Sequence, residues 1–238
     1  MPLVQLTTEG RVATLTLNRP DSLNALTPDL FAEGCEALDQ VAGNRDIGVL
    51  VLAGAGRAFC AGADLKIFRS FTAEQGQEFT ALADRFTRTL ETMPQATIAR
   101  VHGVCFTGGL EVALACDLLV ASEEARFADT HAKFGIVPMW GLSQRLPRRV
   151  GLQRAREMSF TAREVSGQEA VALGLALEAV PPADLDARIQ ALADSILATS
   201  AKSVAIYKKM YRFSQNCFLD EGLDYERNMR YRSAPRTT

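Results

Sequence analysis

Residues 102–121 read HGVCFTGGLEVALACDLLVA, and this stretch decides the fold class. Residues 97–101 before it are predicted to form a short strand, Gly108-Gly109 open an apolar helix, and residues 118–121 are an apolar run typical of a further strand. Strand and helix therefore alternate at close range. This alternation favours an α/β fold built from stacked βαβ units.

The same alternation extends toward the N-terminus. Two segments of alternating apolar and polar residues bracket Glu9-Gly10, which predicts a short hairpin. Thr27-Pro28 predicts a helix start, because Thr is a favoured N-cap and Pro is tolerated at the first helical position. Residues 47–53 are continuously apolar, as in a strand covered on both faces, and residues 73–93 repeat apolar side chains at helical spacing.

The second half of the chain is predicted to be mostly helical from Gly141 onward. Two Ser/Thr-x-x-Glu patterns, Thr161 to Glu164 and Ser166 to Glu169, predict capping boxes. Beyond residue 195 the sequence remains helical but is more charged and poorer in core residues. We therefore expect a core over residues 1–195 and a helical C-terminal region over residues 196–238.

The bulk composition excludes several classes of partner. Hydrophobic residues make up 47% of the chain, as in a globular protein, and the formal net charge is -2. The pI of about 5.8 indicates no basic field that would recruit nucleic acid or an anionic membrane. Basic clusters at residues 145–154 and 202–236 are either solvated helix faces or a source of a few side chains that hold phosphate groups.

The sequence also favours a soluble, cytoplasmic protein. No uncharged apolar run approaches the roughly 18 residues of a membrane span, and the N-terminus lacks the layout of a signal peptide. The five cysteines are odd in number and none share a CxxC spacing. Such usage suits a reducing compartment better than secretion.

Two glycine-rich loops, residues 54–64 and 102–111, follow predicted strands. The first begins Gly54-Ala-Gly56 but has Phe59 where a dinucleotide fingerprint needs its third glycine, and neither loop has the Gly-Lys-Ser/Thr of a phosphate loop. Gly108 lies where a helix begins, so its N–H points outward. Two readings remain open: the glycines permit tight packing, or one exposed N–H from each loop stabilises a carbonyl oxygen as it becomes an oxyanion.

Glu111 lies on the apolar helix that follows the second loop. Its neighbours at helical spacing include Gly108, Leu114 and Ala115. A carboxylate on such a face is costly to bury without a role or a partner, and burial raises its pKa toward the range useful for general acid–base catalysis. The alternative is a glutamate in the first helical turn that simply complements the helix dipole.

Several segments, in one order over roughly residues 3–215, resemble the landmarks of the crotonase (enoyl-CoA hydratase/isomerase) superfamily. They are NRPDSLNAL at 18–26, FCAGADLK at 59–66, the loop and helix at 103–117, GIVP at 135–138, SQRLP at 143–147 and GQEA at 167–170. The resemblance implies a crotonase-like ββα superhelix with stacked sheets. It also implies that the C-terminal region is a trimerisation region, shortened relative to typical members, in a homotrimer or a dimer of trimers.

The resemblance further implies an acyl-CoA site. The N–H groups of Ala63 and Gly108 would hold the thioester oxygen, and Glu111 would activate water for attack at the β carbon. The positions expected to contact the substrate or its CoA are Ala61, Gly62, Asp64, Leu65, Lys66 and Trp140. Coenzyme A is then part of the substrate, so no separate cofactor and no metal are expected.

The chain also departs from the family pattern. His131 occupies the position of the second catalytic glutamate. An imidazole can donate a proton near neutral pH, so His131 is either the catalytic acid or a non-catalytic wall of the pocket. Asp129 can lend a carboxylate there unless the backbone points it away. Thr107 replaces a third glycine, and Trp140 replaces a small residue, either as core or as a side chain that shapes the acyl tunnel.

These features leave three functions in competition. The leading one is a lyase of fatty acid metabolism, an enoyl-CoA hydratase that uses Glu111 as base and His131 as candidate acid. The second is a double-bond isomerase that needs Glu111 alone, and other thioester chemistries of the superfamily are related to it. The third is an acyl-CoA-binding protein that has lost catalysis. An RNA-binding role is disfavoured, because the chain is acidic and has no basic stripe with interspersed aromatic residues.

Overall fold

The computed structural model describes residues 1–229. The chain opens with the predicted hairpin, in which β1 (Val4–Glu9) pairs antiparallel with β2 (Val12–Leu17). Helix α1 (Pro28–Gly43) begins where the sequence predicts. The hydroxyl of Thr27 accepts a hydrogen bond from the N–H of Leu30 at 3.2 Å, and Pro28 is the first helical residue.

The remaining elements alternate strand and helix through the middle of the chain and are mostly helical after it. In chain order they are β3 (Val49–Gly54), α2 (Leu65–Phe68), α3 (Ala73–Thr92), β4 (Ala96–Val101), β5 (Val104–Phe106), α4 (Gly108–Leu114), β6 (Leu118–Ser122), β7 (Arg126–Ala128), α5 (Leu142–Val150), α6 (Leu152–Thr161), β8 (Val165–Ser166), α7 (Gly167–Ala172), β9 (Glu178–Val180), α8 (Leu185–Leu197), α9 (Ala201–Ser214) and α10 (Leu219–Asn228). The predicted strands correspond to β3, β4 and β6, and the long predicted helix corresponds to α3.

Two sheets organise the core. The six-stranded sheet has the order β1-β2-β3-β4-β6-β9 and is parallel from β2 onward, and the three-stranded sheet has the order β5-β7-β8. Because β3 and β4 run parallel, the loops that follow them leave the same edge of the sheet. A β-bridge between Cys60 and Cys105 joins those two loop regions. The topology therefore brings both glycine-rich loops together.

Both faces of the six-stranded sheet are covered. One face belongs to a large apolar cluster with α1, α3 and α4, and the other packs against α8 through Leu185, Ile189 and Ala193. Strand β3 is buried at every position, as its continuous apolar run predicts. The predicted α/β class is confirmed.

Of the two predicted capping boxes, the one at Thr161 is wrong and the one at Ser166 forms only its N-cap half. Thr161 is the last residue of α6, where its hydroxyl donates to the carbonyl of Glu157, and the chain then enters β8. Ser166 does cap α7, because its hydroxyl accepts from the N–H of Glu169 at 3.2 Å. The Glu169 carboxylate pairs with Arg163 at 2.7 Å. The same local pattern thus marks a helix end in one place and a helix start in the other.

The C-terminal part consists of α9 and α10, neither of which has a buried residue. The division predicted at residue 195 falls near the end of α8 and stays a prediction, and residues 230–238 of the predicted C-terminal region lie outside the described residues. Across residues 1–229, every helix is too short or too polar to span a bilayer.

Candidate active site

A cavity of about 560 Å³ opens where the two glycine-rich loops meet α4. It is lined by nine of the ten predicted site residues: Ala61, Ala63, Asp64, Leu65, Lys66, Gly108, Glu111, His131 and Trp140. The tenth, Gly62, lies behind the lining. Its N–H donates to the sulfur of Cys60 and its carbonyl accepts from Leu26. The structure therefore gathers the predicted residues around one space.

The backbone nitrogens of Ala63 and Gly108 lie close together at the junction of the loops. A Cβ built on Gly108 would lie 3.4 Å from the nitrogen of Ala63, and one built on Gly62 would lie 3.3 Å from the nitrogen of Gly108. Throughout the described residues, neither N–H donates to a protein acceptor. Two unpaired donors at such close range form an arrangement that can hold one carbonyl oxygen.

The first loop is supported by the motif at residues 18–26. The buried side-chain amide of Asn24 donates to the carbonyls of Ala55, Ala58 and Phe59 at 2.8–3.2 Å. Its oxygen accepts from the N–H of Arg19 at 2.9 Å, and the guanidinium of Arg19 pairs with Asp64 at 3.1 Å. The motif thus fixes the loop from both ends, and Asp64 serves that support as well as the cavity wall.

The second loop turns at Thr107, whose backbone adopts φ 51° and ψ -112°. This left-handed region is costly for a β-branched residue. Three interactions hold the turn in place: the N–H of Thr107 donates to Ala128, its hydroxyl bonds to that of Thr130, and the N–H of Thr130 donates to the Thr107 hydroxyl. The turn delivers Gly108 to the cavity as the first residue of α4.

Glu111 is almost completely buried in the first turn of α4. Its Oε1 accepts from the N–H groups of Trp140 and Leu142 at 2.9 and 3.1 Å. Desolvation raises the pKa of Glu111 above its ordinary value, and these amide hydrogen bonds and nearby His131 only partly oppose it. Its other oxygen is left for the cavity. A buried carboxylate with a raised pKa is suited to taking and releasing a proton.

His131 and Asp129 form a buried pair beside Glu111. The Nδ1 atom of His131 lies 2.6 Å from Oδ1 of Asp129, and its Nε2 lies 3.7 Å from Oε2 of Glu111. Burial alone would raise the pKa of Asp129, but hydrogen bonds from His131 and Ser159 outweigh it and hold that pKa below its ordinary value. Asp129 therefore points at the imidazole and is absent from the residues that line the cavity.

Trp140 closes the inner end of the cavity. Its ring meets Phe31 and Phe79 edge to face, with centroids 5.3 and 5.0 Å apart. A Cβ on Gly108 would lie 2.5 Å from Cζ3 of this indole. Trp140 is thus a core residue on one side and a wall of the cavity on the other, and its role in shaping an acyl tunnel stays a prediction.

The contacts that sequence reasoning missed are mostly made by main-chain atoms. The amides of Trp140 and Leu142 carry no residue-type signal, although Gly141 between them has φ 102° and marks a turn. The guanidinium of Arg145, which donates to the carbonyl of Trp140 and pairs with Glu91 at 2.6 Å, holds that turn. His102 bonds to Gly56 and Arg100 and does not line this cavity.

The chain is similar to known proteins along nearly its whole length. Residues 7–236 match the family described as Enoyl-CoA hydratase/isomerase. The short-chain-enoyl-CoA hydratase of Clostridium acetobutylicum is 34% identical over 224 residues, which cover 94% of this chain and 86% of that protein. The peroxisomal Delta(3,5)-Delta(2,4)-dienoyl-CoA isomerase of Arabidopsis thaliana is 33% identical over 238 residues, which cover 94% and 86%.

The likeness extends to three-dimensional structure. A crystal structure of an enoyl-CoA hydratase from Bacillus anthracis superimposes with a TM-score of 0.91 at 32% identity, and the match covers 94% of this chain and 88% of that one. Sequence and fold therefore indicate the same relationship.

Proposed function

This chain belongs to the enoyl-CoA hydratase/isomerase family, and on that basis we propose that its cavity adds water across the 2,3 double bond of an enoyl-CoA thioester. The predicted family, the crotonase-like α/β fold and the prediction of an enzyme of this family are confirmed. The observation that carries the hydration proposal is the convergence of two unpaired amides on a cavity that contains the buried carboxylate of Glu111.

The thioester carbonyl would sit against the amides of Ala63 and Gly108. Hydration passes through an enolate whose negative charge develops on that oxygen. Preorganised N–H donors in a site from which water is largely excluded stabilise such a charge more than bulk water does. The proposal is supported by the close approach of the loops and by the lack of another acceptor for either N–H among residues 1–229.

Glu111 and His131 would together balance the protons. The water oxygen bonds to the β carbon and passes a proton to ionised Glu111, while the α carbon takes a proton from Nε2 of protonated His131. The site is then left with protonated Glu111 and neutral His131. A proton transfer from Oε2 of Glu111 to Nε2 of His131, atoms that lie 3.7 Å apart, restores the starting state.

The outer part of the cavity would accept coenzyme A. Lys66 and Lys133 line it and offer cations for phosphate groups, while Leu65 adds an apolar contact. Phe134, Val137 and Met139 line the same cavity yet remain exposed, so they form an apolar rim. Coenzyme A enters as part of the substrate, so the proposal requires no separate cofactor.

Double-bond isomerisation is the second candidate. It is favoured by one observation: Glu111 is the only fully buried carboxylate among the described residues that line the cavity. One base that removes a proton from one carbon and returns it to another suffices for that reaction. The similarity to a protein named as a dienoyl-CoA isomerase, at 33% identity, also supports isomerisation as a candidate reaction.

The test is turnover of crotonyl-CoA, followed by loss of enoyl absorbance and by NMR of the product. We expect 3-hydroxybutyryl-CoA from the wild type and a fall in kcat of about 10²- to 10⁴-fold in Glu111→Gln, the range of a general acid–base group. Glu164→Gln is the control. Its carboxylate also lines the cavity, but it is half exposed and paired with Arg126 at 3.1 Å, so kcat should be unchanged.

Other products would redirect the assignment. A shifted alkene from a longer enoyl-CoA in place of a hydroxyacyl product would favour the isomerase. Tight binding of acyl-CoA without turnover at any chain length would favour the binding protein and contradict both catalytic proposals. His131→Ala with wild-type kcat would remove His131 as the acid.

We further propose that the protein works as a homotrimer or a dimer of trimers in the cytoplasm. Helices α9 and α10 have no buried residue in the single chain, yet they present large apolar side chains such as Tyr211, Phe218 and Leu219. A surface of this kind is typical of an interface between subunits. All five cysteines are free, and four are buried, which fits a reducing compartment.

A further inference from the structure

Building on the hydration chemistry above, we propose that Asp129 is a positioning residue, which holds His131 with its proton on Nδ1 so that Nε2 is the atom that exchanges a proton with Glu111 and the substrate. The Asp129 carboxylate does not line the cavity. Asp129 acts only through the imidazole of His131. With that support, a histidine can take the place of a second glutamate in this site.

The hydrogen bond to Asp129 decides which nitrogen of His131 carries the proton. Oδ1 of Asp129 lies 2.6 Å from Nδ1 of His131. An ionised carboxylate only accepts hydrogen bonds, so Nδ1 must be the donor. The carboxylate is kept ionised, because the hydrogen bonds from His131 and Ser159 hold the pKa of Asp129 below its ordinary value despite burial. The neutral imidazole is therefore protonated on Nδ1 and bare on Nε2.

The same carboxylate also fixes the orientation of the His131 ring. The same Oδ1 also accepts from the backbone N–H of His131 at 3.1 Å, so main chain and ring bind one atom. With Nδ1 fixed there, Nε2 faces Glu111 at 3.7 Å. Both Asp129 and His131 are buried, so water does not compete strongly for these contacts. The acid and the base are thereby held at one end of the cavity.

Because Oδ1 of Asp129 accepts from both the backbone N–H and the ring of His131, we expect Asp129→Asn to keep this arrangement. An amide NH2 turned toward His131 would meet the backbone N–H, a second donor, so the amide oxygen must stay in the place of Oδ1. The Nδ1 proton should therefore survive in this variant. Asp129→Ala removes the acceptor completely and releases the ring. The two variants thus separate loss of the acceptor from loss of the charge.

The chain has only two histidines, which makes the proton on His131 directly observable. His102 is an internal reference of the opposite kind: its Nε2 lies 2.8 Å from the carbonyl of Gly56, so it carries its proton there, and its Nδ1 lies 3.1 Å from the guanidinium of Arg100. In ¹⁵N NMR of labelled neutral imidazoles, the wild type should show one ring of each tautomer. A His102→Gln variant assigns the signals.

We expect Asp129→Ala to lose the Nδ1-protonated form of His131 and to reduce kcat about 10²- to 10⁴-fold with little change in KM, because Asp129 does not line the cavity. Asp129→Asn should retain the tautomer and lose less kcat than Asp129→Ala. The proposal is overturned if the neutral imidazole of wild-type His131 carries its proton on Nε2, if Asp129→Ala keeps the Nδ1 form, or if either variant changes tautomer without losing kcat.

The two readouts also separate this proposal from the hydration proposal. A wild type that does not hydrate any enoyl-CoA but shows the Nδ1-protonated His131 would refute the reaction and leave the positioning contact standing. A wild type that hydrates enoyl-CoA but whose neutral His131 carries its proton on Nε2 would support the reaction and refute the positioning role of Asp129. If Asp129→Ala does not fold, the neutral tautomer of wild-type His131 still tests the proposal, because a proton on Nε2 of that neutral ring would overturn it.

Discussion

At the scale of single residues, the site contains a buried carboxylate and an unfavourable backbone conformation, both of which lower stability. Glu111 is buried with one oxygen facing the cavity, and Thr107 occupies a backbone region that suits glycine. Each is held by specific partners, the amides of Trp140 and Leu142 in one case and Thr130 in the other. Strain and buried charge that neighbours hold in place are typical of functional sites.

The raised pKa of Glu111 predicts a pH-dependent stability. The folded state binds more protons than the unfolded state between the ordinary glutamate pKa and the raised one, so stability falls as pH rises through that window. The cost is absent below the ordinary value and complete above the raised one. We expect the free energy of unfolding of the wild type, relative to Glu111→Gln, to fall across this window in urea titrations and then to level off.

A control of opposite sign is available at Glu157, where hydrogen bonds from Arg154 and Arg163 lower the pKa. Relative to Glu157→Gln, the wild type should gain stability as pH rises toward the ordinary glutamate pKa and lose it again on acidification. If the difference between wild type and Glu111→Gln did not depend on pH, Glu111 would not be held in a desolvated state.

Gly108 is predicted to tolerate no side chain. The Cβ of Gly108→Ala would lie 2.5 Å from the indole of Trp140, which Phe31 and Phe79 hold in place. Overpacking of this kind costs about 1–3 kcal/mol, and the displaced amide should also lower kcat/KM. Gly76→Ala, on an open helix surface, should be neutral or slightly stabilising. Thermal unfolding and initial rates measure both effects.

A double variant tests the cause. Trp140→Leu makes room for the new methyl group, so Gly108→Ala should cost less stability in that background than in the wild type. Equal costs in the two backgrounds would mean that the indole is not what excludes the side chain.

At the scale of elements, the helices differ in how they are attached. Helix α8 is held by buried apolar residues, whereas α9 has none; it packs against the core through partly buried Val204 and is anchored there by the ammonium of Lys208. That group lies 2.7 Å from Asp117 and donates to the carbonyls of Gln95 and Leu90. Asp117 in turn accepts from Thr97. A polar contact at the start of β4 thus helps to attach the C-terminal part.

Lys208→Met should loosen α9. It removes the charged donor from Asp117 and from two carbonyls, and a lost charge-assisted contact of this kind costs about 1.5–3 kcal/mol. We expect faster hydrogen exchange across α9 and a lower unfolding temperature. Lys209→Met, on the exposed side of the same helix, is the control and should leave both unchanged. Unaltered exchange in Lys208→Met would mean that α9 is held by other contacts.

At the scale of the whole molecule, the single chain leaves a surface uncovered. Phe218 and Leu219 are 84% and 77% exposed and lie at the start of α10, and Tyr211 on α9 is exposed as well. Large aromatic and aliphatic side chains that lie together on two helices favour association. The proposed trimer or hexamer would bury them and would stiffen the part of the chain that has the fewest core contacts.

Light scattering on the eluting protein tests this assembly. We expect three or six times the chain mass of 25.9 kDa for the wild type and a smaller species for the pair Phe218→Ser and Leu219→Ser. Asp220→Ser, an exposed substitution in the same helix, should keep the wild-type mass. A wild type that elutes as a monomer would contradict the proposed assembly.

Much of the fold was predictable because its signals are local. Thr27-Pro28 starts α1 as expected, and the apolar run at 47–53 becomes the fully buried β3. Local signals fail where two outcomes share one pattern. Thr161 to Glu164 and Ser166 to Glu169 read alike, yet only Ser166 caps a helix, because α6 is already complete at Thr161.

By itself, the sequence determined the α/β class, the glycine loops and Glu111 as a candidate, since residue type and periodicity are properties of short segments; the resemblance to the family added His131. Only the tertiary structure decided that Asp129 serves His131 instead of the cavity, and that main-chain amides 29 and 31 residues away hold Glu111. The physical reason is that the amides of Trp140 and Leu142 reach Glu111 through the alignment of loops in space, and that the short separation of Asp129 and His131 does not reveal which way the Asp129 carboxylate points. That alignment arises from the packing of the whole core and leaves no mark in the order of neighbouring residues.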